Sequence, residues 1–171
     1  MDRRKSFTLI ELVMVIGLIA IVAVIVISPR AKIALSRTRH AAYKIKSDIR
    51  YAQSHALSSQ KNTMIDFDPA TETYRVYVED TPGNWVLLKN PFTKEDFTVN
   101  LNEGDYKGVD ILETNFNGAG YDLGFDAAGI PYSYDSSDGS ASELLASGSV
   151  FLGEGLFVEV KVNTGKVSIA E

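Results

Sequence analysis

The chain has 171 residues, 45% of them hydrophobic and 23% charged, enough for one domain of ordinary size with a sizeable core and an N-terminal appendage. It contains no cysteine, which excludes a disulfide framework, a thiolate metal site and a cysteine nucleophile. The formal net charge of -5 hides a segregation of sign: Arg30 to Lys61 carries eight Lys/Arg against Asp48 alone, whereas Asn62 to Glu171 carries six against nineteen Asp/Glu. A basic stem therefore bears an acidic head, whose field disfavours nucleic acid at long range.

Arg3, Arg4 and Lys5 make a basic start. From Phe7 to Ile27 the sequence FTLIELVMVIGLIAIVAVIVI runs for 21 residues with one charge, Glu11. At about 1.5 Å per residue a helix of that length matches a ~30 Å hydrocarbon core, and the segment predicts a membrane-spanning helix. A secretory signal peptide also starts basic, but its apolar core is only ~7–15 residues long and closes on a small-x-small cleavage site. Neither feature fits here. Charge bias does not orient the span, because Arg30, Lys32, Arg37 and Arg39 just after it outnumber the basic residues before it.

Ser28-Pro29 interrupts the pattern and predicts a helix break at Pro29, since proline lacks a backbone donor and crowds the preceding turn. Beyond it Ala34, Thr38, Ala41, Ile45, Ile49, Ala52 and Ala56 recur at spacings of three or four, an apolar stripe suited to packing on a sheet. Lys32, Arg39 and Lys46, with Arg50 one turn further, form a basic line on another face. It reads as a solvated face, or as a contact for neighbouring acidic heads.

After Gln60 the period changes to two. Thr63–Phe67 and Tyr74–Val78 flank Asp68-Pro69-Ala70-Thr71 as a predicted hairpin. Further strands are predicted at Trp85–Leu88, Phe97–Val99, Val109–Leu112, Ser149–Leu152, Leu156–Val162 and Lys166–Ile169, with Gly153-Glu154-Gly155 as a turn of structural purpose. Ser133 to Ser149, rich in Ser, Asp and Gly, reads as a mobile loop. The fold class is α+β: a long N-terminal transmembrane-plus-amphipathic helix packed on a C-terminal antiparallel β-sheet head. The domain reading is 1–6 leader, 7–28 transmembrane and assembly helix, 29–61 amphipathic stem, and 62–171 head.

Sites of ordinary enzyme chemistry are not legible. His40 and His55 lie on one helix without clustered Asp, Glu or Cys, and read as solvated polar residues. No nucleophile elbow or phosphate loop occurs. Asp135-Ser136-Ser137-Asp138-Gly139 with Glu143 lacks the alternating ligands and bidentate acid of a calcium loop and reads as a turn. No cofactor and no metal site are expected.

Glu11 is the informative residue, because a carboxylate within an apolar span costs a few kcal/mol on insertion scales and calls for a partner. If the chain is cut between Ser6 and Phe7, the new α-amino group of Phe7 lies one helical turn from Glu11. The Phe7 amine of a neighbouring copy then becomes a cation able to neutralise Glu11 in lipid.

Lys5-Ser6-Phe7-Thr8-Leu9-Ile10-Glu11 resembles the class III signal of type IV pilins and type II secretion pseudopilins. The resemblance implies that a prepilin peptidase cuts between Ser6 and Phe7 and methylates the new Phe7 amine, with Glu11 as the assembly carboxylate. The family prefers Gly where this chain has Ser6, and its helix-breaking proline usually falls one residue before the position of Pro29. Ser47-Asp48-Ile49-Arg50-Tyr51-Ala52-Gln53-Ser54-His55-Ala56 is similar to the helix segment of the GspH/FimT group of minor pseudopilins. Leu123–Pro131, Gly148–Leu152 and Val158–Val167 are similar to that group's closing strands, while Pro82 to Asn117 resembles nothing further.

The resemblance implies a structural, non-enzymatic subunit of a type II secretion pseudopilus, in the bacterial inner membrane with its head in the periplasm, and partnered by other pilin or pseudopilin subunits and by prepilin peptidase. The alternative is a minor type IV pilin of pilus biogenesis or DNA uptake. Against a DNA receptor stands the C-terminal charge: from Glu143 onward only Lys161 and Lys166 face Glu143, Glu154, Glu159 and Glu171. Nucleic acid is therefore not an expected partner.

Overall fold

The computed structural model describes residues 8–27, 30–118 and 122–171, and at 23–27 and 30–32 it describes the backbone alone. Contacts divide the chain into Met1–Ile33 and Ala34–Glu171. The first unit holds α1 (Leu9–Ile27). Pro29, the expected helix break, lies outside the described residues.

The second unit is built on α2 (Arg30–Ser59) from Ala34 onward, followed, among the described residues, by eleven strands. In chain order these are β1 (Thr63–Asp68), β2 (Thr73–Thr81), β3 (Asn84–Leu87), β4 (Thr98–Asn100), β5 (Ile111–Asn115), β6 (Asp122–Phe125), β7 (Pro131–Asp135), β8 (Ser140–Glu143), β9 (Gly148–Leu152), β10 (Phe157–Val160) and β11 (Val167–Ala170). Two antiparallel sheets result. One has the order β3-β2-β1-β6-β7-β8, with β4 sharing the β2 edge with β3; the other has the order β11-β10-β9-β5.

The helix stripe does what its period implies. Thr38, Ala41, Ile45, Ile49, Ala52 and Ala56 are buried, and the alanines and isoleucines among them join a core shared with Ile65, Phe67, Tyr74, Val76, Leu123 and Phe125 of the first sheet and Val150, Val158 and Val160 of the second. Four alanines (Ala41, Ala42, Ala52, Ala56) let the helix backbone lie close to the strands. Ile45 and Ile49 fill the remaining depth, each stabilising the fold by roughly 1.5–3 kcal/mol through burial. The Thr63 hydroxyl donates to the Ala52 carbonyl at 3.1 Å and ties the helix end to β1 without leaving a buried donor unpaired.

The predicted hairpin forms in register, Thr63 facing Val78 and Asp68 facing Thr73. Its turn is closed by Asp68, whose Oδ1 accepts the Ala70 amide at 3.0 Å. The other predicted strands appear within one or two residues of expectation, apart from β5, which runs further toward Asn115.

Ser133 to Ser149 corrects the sequence reading. It contains most of the β7–β8 hairpin and the start of β9, with Tyr132 facing Glu143 and Asp135 facing Ser140. The Ser, Asp and Gly residues serve a tight turn at its centre: Asp135 Oδ1 accepts the Ser137 amide and the Asp135 carbonyl accepts the Gly139 amide, both at 2.8 Å, with Gly139 at φ +76°. Polar residues on both faces of β8, all exposed, conceal the period of two.

Candidate functional site: the helix start and its surroundings

Thr8 precedes the first residue of α1 and caps it. Its Oγ1 accepts the Glu11 amide at 3.3 Å and its carbonyl accepts the Leu12 amide at 3.2 Å. These bonds satisfy donors that a helix start leaves orphaned, and Thr-x-x-Glu is the sequence form of such a start. Glu11 thus occupies the third helical position, where the helix dipole favours a carboxylate.

Around Glu11 the helix is apolar on every side. Leu9, Ile10, Leu12, Val13, Met14 and Ile16 are all exposed, Leu9 at 81%. A helix apolar all round is normally enclosed by a larger core or by lipid. No helix among the described residues is long and apolar enough to cross a membrane; the expected span, 7–28, begins and ends outside the described residues, and the described side chains of α1 stop at Val22. Ser6 and Phe7, the expected cleavage and methylation positions, also lie outside them.

On α2 the basic line divides. Arg39 pairs with Glu171 at 2.7 Å, an exposed contact worth less than about 1 kcal/mol. Lys46 and Arg50 instead line a cleft of about 350 Å³ with Gln53, Gly165, Lys166 and Val167. The sequence does not pair Lys166 with them; the β10–β11 turn does. Gln53 anchors that turn by donating to the Thr164 carbonyl at 3.1 Å, and it also donates to the Gly129 carbonyl between β6 and β7 at 2.9 Å. Gly165, at φ +61°, leaves the room, since a Cβ there would sit 2.3 Å from Gln53 Nε2.

One buried carboxylate on the helix stripe escapes a reading by hydrophobic period. Asp48 accepts Lys44 Nζ on both oxygens at 2.8 Å and the Tyr74 hydroxyl at 2.6 Å. Burial pushes its pKa up, and the bonds from Lys44 and Tyr74 oppose that rise. The Lys44 position one turn before Asp48 was the available signal.

A second buried acid, Asp122, receives the Phe67 amide at 3.3 Å on Oδ1, while Oδ2 has no hydrogen-bond partner among the described residues. Burial, then the neighbouring Asp66 charge, raise its pKa to about 7. The Ser136 hydroxyl favours the carboxylate from nearby without a bond of good geometry.

His40 and His55 are not brought together with acidic residues, and among the described residues no group of three or more His, Cys, Asp or Glu could hold a metal ion. Burial lowers the pKa of His55, with Lys61 adding to the effect.

The family model for the prokaryotic N-terminal methylation motif matches residues 1–27. No curated protein matches the chain in sequence. In fold the chain is similar to the minor pseudopilin EpsH from the type 2 secretion system of Vibrio cholerae. One structure of EpsH superposes with a TM-score of 0.55 at 14% identity, covering 78% of this chain and 96% of that one. Another gives 0.54 at 12% identity, covering 79% and 96%. Identity this low speaks to the fold of the head, and the motif speaks to the N-terminus. The chain thus joins a prokaryotic N-terminal methylation motif at residues 1–27 to a fold similar to that of a minor pseudopilin.

Proposed function

We propose that the chain is a minor pseudopilin, a structural subunit of a type II secretion pseudopilus that serves protein secretion. In this reading prepilin peptidase cuts between Ser6 and Phe7 and methylates the Phe7 amine. The segment 7–28 then holds the subunit in the bacterial inner membrane with the head in the periplasm. During assembly Glu11 accepts the Phe7 amine of a neighbouring subunit.

The observation that carries the reading is Glu11 itself, the single charge on an apolar helix whose start is capped by Thr8. A carboxylate there is costly in lipid unless a cation meets it, and a processed N-terminus supplies one within a helical turn. The head fold shared with EpsH favours the secretion pseudopilus over a type IV pilus. The Lys46, Arg50 and Lys166 cleft is the feature that favours the alternative, a minor type IV pilin in DNA uptake.

Mass measurement of the N-terminal peptide from membrane-extracted protein tests the processing step. The expected product starts at N-methylated Phe7. A chain still starting at Met1 in cells with active prepilin peptidase overturns the reading.

A further inference from the structure

The first sheet has a second face that the core does not use. Alternation puts Ile65, Val76 and Leu123 inward, so Met64, Glu79, Gly124, Tyr132 and Tyr134 turn the other way. Strand order sets four strand spacings between β3 and β7, about 19 Å in a flat sheet. Yet the rings of Trp85 on β3 and Tyr134 on β7 meet edge to face with centroids 5.4 Å apart. The sheet is therefore strongly curled, with this face on the concave side.

The curl shapes an open pocket of about 330 Å³ whose lining includes Asn62, Glu79, Gly83, Trp85, Tyr132 and Tyr134. Tyr132 is held against the sheet by Gly124, where an added Cβ would fall 2.2 Å from the ring. Glu79 is fixed as well: Oε2 accepts Asn62 Nδ2 and Oε1 accepts the Gly83 amide, each at 2.6 Å. Both donors are neutral, so the negative charge stays in place. Lys61, on the adjoining surface, is taken by Asp80 at 2.9 Å, and among the described residues Glu79 enters no ion pair. Burial raises the Tyr132 pKa above the usual phenol range, and the charges of Glu79 and Asp126 push the same way, which marks the surroundings as negative.

Three aromatic rings beside an uncompensated carboxylate form a receptor for an organic cation, because ring faces and carboxylate both attract positive charge and the partly enclosed setting limits screening. We infer that the Trp85, Tyr132, Tyr134 and Glu79 cavity binds a lysine or arginine side chain presented by a partner polypeptide. Its volume is at the small end for ligand pockets, and its lining residues are only partly buried, which suits the tip of a side chain entering from a surface. The excess of acid over base from Asn62 to Glu171 steers a basic segment toward this head.

Trp85 is the only tryptophan, so its emission reports the cavity directly. The test titrates the full chain in mild detergent with a capped Gly-Gly-Lys-Gly-Gly peptide and with the same peptide carrying Nε-acetyl-lysine, which keeps the length and removes the charge. A saturable change in Trp85 emission is expected with the lysine peptide, and at least about tenfold weaker binding with the acetylated one. Glu79→Gln is expected to weaken the lysine peptide by about threefold to fivefold. Should Glu79→Gln disturb the Gly83 turn, Tyr134→Leu at the rim is expected to weaken binding while preserving the far-ultraviolet dichroism and the cooperative unfolding of the head. Identical curves for the two peptides, or no saturable change with lysine or arginine peptides up to roughly 20 mM, overturn the inference.

Discussion

The Tyr74 hydroxyl donates to Asp48 Oδ2 at 2.6 Å inside the core, joining β2 to α2 through a carboxylate that Lys44 holds from the other side. Tyr74 is 1% exposed, so water does not stand in for either partner. Tyr74→Phe removes one donor from a buried acid, and the expected loss of stability is about 1–3 kcal/mol. Denaturant unfolding of the full chain in detergent, followed by Trp85 emission, measures it. A loss below about 0.5 kcal/mol shows that Lys44 alone satisfies Asp48.

Asp122 makes the stability of the head depend on pH in an unusual direction. Its folded pKa of about 7 lies above the ordinary aspartate value of 3.8, so between these values the unfolded chain gives up a proton that the folded chain keeps. Stability from this group is therefore full below pH ~4, declines as pH rises toward ~7, and levels off above that, by on the order of 2–4 kcal/mol in all. Asp66, itself paired with Arg75 at 3.4 Å, and Asp135 supply the neighbouring charge. Asp122→Asn removes the titration. Unfolding midpoints at pH 5 and pH 8 are expected to converge in the variant, which is also expected to be more stable than the parent at pH 8. Parallel pH profiles for parent and variant count against the assignment.

Glu11→Gln keeps the shape of the side chain and loses its charge. The Thr8 cap uses the backbone amide of residue 11, so the helix start is expected to survive, as are cleavage and membrane insertion. Incorporation into sheared filaments or crosslinked assemblies is expected to fall by at least about tenfold, the scale of a lost ion pair in a medium of low dielectric. Normal amounts of the variant in assemblies sink the pairing of Glu11 with a neighbouring Phe7 amine.

The basic cleft predicts weak, strongly salt-dependent contact with duplex DNA and no more. Lys46, Arg50 and Lys166 are three cations, enough for about three phosphates and a slope near -2.7 in log affinity against log salt. Against the surplus of acid elsewhere in the head, binding at physiological salt is expected to be weaker than ~10⁻⁴ M. Titration of labelled duplex at two salt concentrations measures both quantities. Micromolar binding promotes the DNA-uptake reading above the secretion one.

Sequence by itself determined the parts of this protein that rest on local periodicity and on one short motif. The stripe from Thr38 to Ala56 declared the buried face of α2, because side chains three and four residues apart must share a side of a helix. The alternation in Thr63–Phe67 and Tyr74–Val78 declared the first hairpin for the equivalent reason in strands. Glu11 stood out because a charge in an apolar run is costly wherever it sits. Only the tertiary structure decided the rest, since the partners come from distant segments. Asp48 reads as a defect in the stripe until β2 brings Tyr74, 26 positions later, onto it. Lys166 reads as an isolated cation until the β10–β11 turn sets it beside Lys46 and Arg50. Trp85 and Tyr134 face each other only because the first sheet curls, and curl is a sum of small twists along many strands that no local pattern encodes.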